Sequence, residues 1–150
     1  MAIPADHRPA HLARLTELFH NAPIARSMGT RLAYDAEHRA VFTQPYNPAF
    51  DHALGEIHGG AIATLIDNAG WFTVAGEYET WVATVEFQVR LLGRAKEALV
   101  ARGQIVSAGK RLATTTMEVR AGDRLIAIGS GTFTVTSAPL PPLPALSTIV

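Results

Sequence analysis

Hydrophobic positions in the first third of the chain predict one helix and one β-hairpin. Residues 10–21 carry apolar side chains at helical spacing, in a stripe formed by Leu12, Leu15, Leu18 and Phe19. Pro23 marks the expected end of this helix. Two apolar runs, 28–34 and 40–44, then predict strands joined by a polar turn.

The most apolar stretch, residues 61–75, predicts a buried helix after a long loop over 45–55. Apolar residues occupy every side of its 3.6-residue wheel, so we expect other structure to surround the helix almost completely. Asp67 lies in the middle of this stretch. An ionised carboxylate in such surroundings is costly unless it is paired or hydrogen-bonded.

Four further strands are predicted in the second half of the chain. Residues 81–92 alternate, so that one face carries Trp81, Ala83, Val85, Phe87, Val89 and Leu91. Thr84 falls on the opposite face, which is mostly polar. After a turn at 93–97, the other strands are expected at 98–107, 111–121 and 125–136, and together the four form an antiparallel meander. The proline-rich residues after Ser137 are not expected to join a sheet.

These elements predict an α+β fold in which a curved antiparallel sheet wraps around one central helix. We expect an N-terminal helical extension at 1–23, a main domain at 24–137 and a proline-rich tail at 138–150. The outer sheet face and the open sheet edges favour contact with a partner subunit.

Composition excludes several classes of function. The formal net charge is zero, so the chain as a whole attracts neither nucleic acid nor an anionic membrane. It has no cysteine for disulfide or thiolate chemistry. No signal-peptide pattern is seen at the N-terminus, and the apolar helix is short for a membrane span and contains Asp67. We therefore expect a soluble cytoplasmic protein.

Candidate chemistry lies at His58-Gly59-Gly60, where the central helix begins. A helix N-terminus offers unpaired backbone N–H groups and the positive end of the helix dipole, and glycine lets a ligand approach them closely. Such a start suits an oxyanion hole or an anion site. A tight turn that needs glycine would explain the same residues.

Asp67 is a candidate general base or nucleophile, because desolvation would raise its pKa. A buried aspartate that caps a neighbouring group is the alternative. Asp67 lies eight residues after Gly59, which is roughly 12 Å along the helix axis. This is too far for both to contact one reacting carbon in the same chain. If they act together, two antiparallel central helices must pair each Gly59 with the partner subunit's Asp67, which predicts two equivalent sites per dimer.

Three segments resemble the hotdog-fold acyl-CoA thioesterases: HGGAIATLID at 58–67, ATVEFQV at 83–89 and AIGSGTF at 127–133. The resemblance spans about residues 24–136 and is closest to the PaaI-like, phenylacetate-pathway branch, which is related to 4-hydroxybenzoyl-CoA thioesterases. It implies a hotdog fold and hydrolysis of an acyl-CoA to a carboxylate and free coenzyme A. It also implies no metal or redox cofactor, and a homodimer that doubles to a homotetramer.

The resemblance further implies residue roles. The Gly59 N–H would polarise the thioester carbonyl, His58 would shape the loop and bond near the thioester, and Asp67 would activate water or attack the carbonyl. Thr84 would position the water or the carboxylate. Related enzymes have an asparagine six residues before the motif histidine, whereas this chain has His52. His52 would donate a hydrogen bond to substrate or water, or would simply be exposed.

Coenzyme A carries phosphates, so basic residues are expected at the mouth of the site. The candidate substrate-binding residues are Gly60, Arg90, Arg94, Lys96, Lys110 and Arg111. Each of the charged ones also fits a solvated turn. The aromatic residues Trp71, Phe72 and Tyr46 either line an acyl pocket or belong to the core.

Other functions stay open at this stage. A non-catalytic acyl-CoA-binding hotdog domain would not need Asp67, and a hotdog hydratase or dehydratase uses a different Asp/His arrangement. A metal site built from Asp51, His52 and His58 matches no ligand spacing. The acyl group itself is left as aromatic or medium-chain.

Overall fold

The computed structural model describes residues 3–143. Its helices are α1 (Arg8–Asn21), α2 (Pro23–Met28) and α3 (Gly59–Ala75). Its strands are β1 (Arg31–Tyr34), β2 (Ala40–Gln44), β3 (Thr80–Leu91), β4 (Leu99–Ala108), β5 (Leu112–Ala121) and β6 (Arg124–Pro139). Over this part of the chain, no helix combines the length and apolar character needed to cross a membrane.

The six strands form one antiparallel sheet in the order β1-β2-β4-β5-β6-β3, and α3 packs across its inner face. Leu65, Ile66 and Ala69 of α3 are fully buried there. Sheet and helix approach most closely at Gly103, where a Cβ atom would lie 2.3 Å from the carbonyl oxygen of Ala69. The predicted α+β fold, a curved sheet around a central helix, is confirmed.

Strand β3 does not belong to the meander, which corrects the prediction for the second half of the chain. Strands β4, β5 and β6 form a meander, but within residues 3–143 β3 pairs only with β6, at the far edge of the sheet. Residues 92–98 are therefore a crossover rather than a hairpin turn, since they carry the chain to β4 beside β2. The N–H of Ile57 donates to the carbonyl of Ala95 at 2.9 Å, which attaches this crossover to the loop before α3.

The two ends of the chain also differ from prediction. Pro23 begins a second helix as well as following the first, because proline fits the first turn of a helix. Met28 consequently belongs to α2 and not to a strand. Strand β6 continues to Pro139, which lies opposite Thr80, so the expectation that no residue after Ser137 joins the sheet is wrong. A proline is tolerated there because it is the last residue of the strand.

The N-terminal helices pack beside the second half of α3. The predicted stripe of α1 buries Leu12, Leu15 and Phe19. The ring of Phe19 lies edge-on to Phe72 of α3, with 5.3 Å between ring centres. The guanidinium of Arg14, on α1, donates to the carbonyl of Pro141 at 3.1 Å. The end of the described chain therefore packs against α1.

Helix α3 is buried on all sides only from Ala69 onward, which corrects the expectation for its first half. Gly60 is exposed, and Thr64, Asp67 and Asn68 are half-buried. These residues recur at helical spacing, so the first half of α3 presents one open face. The carboxylate lies on that face.

Candidate active site

The side chains of Asp67 and Thr84 form the polar centre of the site. The Thr84 hydroxyl donates to Oδ1 of Asp67 at 2.9 Å. Burial raises the pKa of the Asp67 carboxyl above its ordinary value, and the hydrogen bond from Thr84 opposes part of that rise. A half-buried carboxylate held in this way is oriented by a neighbour and is a stronger base than a solvated one.

Thr84 and the later residue Val89 both face the helix because strand β3 is irregular between them. The β3–β6 register shifts between Thr84 and Glu86, where a bulge interrupts the alternation. Beyond it, Val89 pairs with Gly129, and a Cβ there would lie 2.5 Å from Ile66 of α3, so this pair faces the helix. Thr84 and Val89 thus share the inner face, and the predicted placement of Thr84 on an opposite, polar face is wrong. Bulges commonly re-aim a side chain in this way.

The start of α3 is capped by its own histidine. Nδ1 of His58 accepts a hydrogen bond from the N–H of Gly60 at 2.8 Å, which places the proton of a neutral His58 on Nε2. The Gly60 N–H is therefore already used. Within residues 3–143, the Gly59 N–H has no hydrogen-bond acceptor, so it is the donor available to a ligand.

The carboxylate and the helix start border different cavities of the single chain. A cavity of about 630 Å³ contains Asp67 and Thr84, and a second, of about 380 Å³, contains His58 and Gly60. Ile24 of α2 borders both. The structure thus places these predicted site residues in two separate groups, Asp67 with Thr84 and His58 with Gly60.

His52 lies apart from both groups. Its Nδ1 accepts from the N–H of Leu54 at 3.1 Å, and its Nε2 is 3.7 Å from a carboxylate oxygen of Glu56. It borders neither cavity, so these contacts hold the loop and do not orient the Asp67 carboxylate.

The predicted basic residues are spread over three places. Arg94 lies 3.6 Å from Glu56, and Lys96 lies beside Gly55, so both are close to the loop that enters α3. Arg90 pairs with Ile128 on β6, and its side chain is exposed. The other two, Lys110 and Arg111, are in the β4–β5 turn at the opposite end of β3.

The three aromatic candidates divide between the cavity and the loop. Trp71 and Phe72 are buried and border the cavity of Asp67. The hydroxyl of Tyr46 donates to Asp51 at 2.6 Å, away from that cavity. In the part of the chain that the structure describes, no three His, Asp or Glu side chains are grouped to hold a metal ion.

Sequence reasoning missed the contribution of the N-terminal helices to the cavity of Asp67. Leu18 and Ile24 both border it, together with Trp81 of β3. The apolar stripe of α1 was visible in the sequence, but periodicity does not show which part of the main domain a helix covers.

Comparisons with known proteins identify the family and support the fold. The sequence model of the thioesterase superfamily matches residues 54–128, which is half of the 150 residues. A thioesterase family protein from Silicibacter pomeroyi shares 28% identity, with 83% of this chain and 96% of that chain covered and a TM-score of 0.75. No curated protein matches the sequence.

Two structures with lower identity are similar in fold. The PaaI protein from the phenylacetic acid degradation operon of E. coli shares 17% identity, with 91% and 99% of the two chains covered and a TM-score of 0.79. A phenylacetic acid degradation-related protein from Ralstonia eutropha shares 20% identity, with 83% and 99% covered and a TM-score of 0.74. Because the thioesterase model matches half of the chain, in a segment that includes Asp67 and Thr84, this chain belongs to the thioesterase superfamily, as a thioester hydrolase with the hotdog fold.

Proposed function

We propose that the chain hydrolyses an acyl-CoA to a carboxylate and free coenzyme A, at sites shared by two protomers. The observation that carries the proposal is the Asp67 carboxyl, which is half-buried, hydrogen-bonded to Thr84, raised in pKa and open to a cavity. A structural carboxylate would be paired and closed off. This one keeps an oxygen available at the edge of a space large enough for a ligand.

In the proposed reaction, Asp67 acts as a general base. It takes a proton from water while the water oxygen bonds to the thioester carbon, the C–S bond then breaks, and the proton passes to the departing coenzyme A sulfur. The carbonyl oxygen accepts from the partner subunit's Gly59 N–H, where the positive end of α3 stabilises the developing negative charge. Direct attack by the carboxylate, followed by hydrolysis of the acyl-enzyme anhydride, is the alternative role of Asp67.

Exposed apolar residues on β3 support the dimer. Val85, Phe87 and Leu91 are all exposed, and the outer edge of β3 pairs with no other strand among the described residues. Such an edge favours pairing with a second copy, which would bring the open faces of two α3 helices together. In an antiparallel arrangement each Gly59 then meets the other protomer's Asp67. Doubling of this dimer to a tetramer is part of the proposal.

Coenzyme A would lie toward the start of α3. Arg94 and Lys96 are next to that helix end and are exposed, so we assign the phosphates to them first. Lys110 and Arg111 lie at the opposite end of β3, so they would bind the phosphates only if a partner subunit brought that end close to the bound coenzyme A. The route uses water, side chains and a backbone N–H, so we propose no metal or redox cofactor. A cytoplasmic location stays a prediction.

Replacing Asp67 with asparagine tests the proposal, because the amide preserves shape but is not a base. We expect Asp67→Asn to lower kcat/KM about 10²- to 10⁴-fold for aromatic and medium-chain acyl-CoA substrates, measured by release of free thiol. Asp123→Asn, in the exposed β5–β6 turn, is the matched control and should hydrolyse normally. Undiminished hydrolysis by Asp67→Asn would overturn the assignment. Acyl-CoA binding without any hydrolysis by the wild type would favour a non-catalytic binding domain.

A further inference from the structure

The cavity that contains Asp67 and Thr84 is otherwise walled mainly by apolar side chains, and part of that wall belongs to the N-terminal helices. Helix α3 supplies Trp71 and β3 supplies Trp81, while α1 supplies Leu18 and α2 supplies Ile24. With a volume of about 630 Å³, the cavity is of the size that small-molecule sites usually have.

We propose that this cavity holds the acyl group of the substrate, and that the N-terminal helices select its size through Leu18 and Ile24. The inference rests on the proposed function. If Asp67 activates the water that attacks the thioester carbon, the acyl group attached to that carbon must lie beside the carboxylate. The apolar wall next to Asp67 is the surface available to it.

The charge at this cavity disfavours binding of the coenzyme A part of the substrate there. Among the residues that the structure describes, Asp67 is the only ionisable side chain that borders the cavity, and its negative charge would repel the phosphates of coenzyme A. Arg94 and Lys96 do not border it and lie near the start of α3. The cavity therefore suits the apolar acyl group, while coenzyme A extends toward the basic residues.

An apolar wall favours bulky acyl groups over acetyl. Burial of one methylene group is worth about 0.8 kcal/mol, which corresponds to about a fourfold gain in affinity for each methylene until the space is filled. The preferred substrates are thus medium-length or ring-bearing acyl-CoA thioesters. The length at which the gain stops is set by whichever wall closes the cavity.

Two walls of the cavity differ in how firmly they are held. The indole N–H of Trp71 donates to the carbonyl of Val82 at 2.9 Å, and the rings of Trp71 and Trp81 are 4.7 Å apart. These contacts hold the part of the wall formed by Trp71 and Trp81 in place. On the opposite wall Ile24 is 48% exposed and borders the cavity at the helix start as well. A change of size at position 24 therefore alters the space with little disturbance to the core.

A series of linear acyl-CoA substrates from acetyl to decanoyl tests the inference, with kcat/KM measured by thiol release. For Ile24→Trp we expect the optimum to move to shorter acyl groups and the longest substrates to lose at least about tenfold, while the shortest keep their rates. Ile24→Ala and Leu18→Ala should shift the optimum to longer groups. Val106→Trp is the control, because Val106 is 63% exposed on β4 and does not border the cavity.

The outcomes separate this inference from the proposed function. If hydrolysis still depends on Asp67 but the chain-length profile is the same in all Ile24 and Leu18 variants, the size-selecting role is overturned and the proposed function stands. If Ile24→Trp does not fold, the two alanine variants decide the question by the same criterion. A change in dimer dissociation without a change in profile would mean that the partner subunit, and not the acyl group, covers this wall, and would also overturn the inference.

Discussion

At Asp67, burial and a single hydrogen bond act on the same carboxyl in opposite directions. Burial disfavours the ionised form, and the Thr84 hydroxyl, 2.9 Å away, favours it. The balance leaves a carboxyl with a raised pKa that is still oriented by a neighbour. Two residues from distant parts of the sequence therefore set the strength of the proposed base.

Removal of the Thr84 hydroxyl should change the pH dependence of the reaction. Without that hydrogen bond the ionised form of Asp67 loses support, so its pKa rises further and the acid limb of the kcat/KM profile moves to higher pH. We expect this shift in Thr84→Val and not in Thr84→Ser, which keeps a hydroxyl. Identical acid limbs in the wild type and Thr84→Val would show that Thr84 does not tune the base.

At Gly59 the backbone donor can be removed with little change in the backbone conformation. Proline lacks an N–H and is accepted at the first position of a helix, and the extended backbone of His58 (φ −64°, ψ 138°) suits a residue before proline. We expect Gly59→Pro to lower kcat about 10²- to 10³-fold.

Gly59→Ala is the matched control for the loss of the N–H. It retains the N–H but places a Cβ 2.7 Å from Cδ1 of Leu91, a flexible side-chain end that can move. Its loss of activity should be much smaller than that of Gly59→Pro. Equal losses in the two variants would mean that crowding at Leu91, and not the missing donor, explains the effect.

Among the elements, α3 and β3 form the site. Helix α3 contributes where it is not fully surrounded, and β3 contributes beside a break in its alternation. Helix α3 is surrounded in its second half and open in its first half, so one element provides both a core and a reactive face. Strand β3 contains a bulge after Thr84, so that Thr84 and the later residue Val89 both face the helix. The contact between α3 and β3 depends on how closely the whole sheet packs against α3.

Gly103 sets that approach, so a methyl group there should destabilise the whole domain. A Cβ would lie 2.3 Å from the carbonyl oxygen of Ala69, and helix backbone cannot move aside cheaply. We expect Gly103→Ala to lower the free energy of unfolding by about 1–3 kcal/mol in urea denaturation. At Gly93 the nearest atom is 3.6 Å away, so Gly93→Ala should have little effect. Equal stability of the two variants would contradict this account of the helix–sheet contact.

For the whole molecule, the main consequence of the structure is that Gly59 and Asp67 are kept apart: Asp67 borders one cavity of the chain, whereas His58 and Gly60, on either side of Gly59, border another. Their eight-residue separation along α3 does not let them contact one reacting carbon, so a complete site requires two copies. The exposed apolar residues of β3 and its unpaired edge supply a surface on which the copies would join.

Complementation between two inactive variants tests the shared site. In a hybrid dimer of Asp67→Asn and Gly59→Pro, one site receives both defects and the other receives neither. Random mixing should therefore restore about a quarter of the wild-type activity. Formation of hybrids is verified by native mass spectrometry with differently tagged chains. Inactive hybrids of confirmed composition would place the whole reaction within one protomer.

Periodicity and residue spacing were enough to predict most elements and the candidate chemistry. Helical and alternating periodicities located α1, α3 and most strands, because local patterns reflect which side of an element is buried. The resemblance carried by residues 58–67 indicated the thioesterase family, and the family match confirms it. Spacing along a helix was enough to predict that Gly59 and Asp67 do not act together within one chain.

How those elements combine is visible in the folded chain and not in the sequence pattern. Contacts between separate elements set the edge position of β3, the bulge that lets Thr84 and Val89 share one face, and the packing of Leu18 and Ile24 over the cavity. A uniform alternation placed Thr84 on the wrong face, because one extra residue in a strand reverses every later position. The register shift is seen in how β3 pairs with β6, and the hydrophobic periodicity of the sequence does not reveal it.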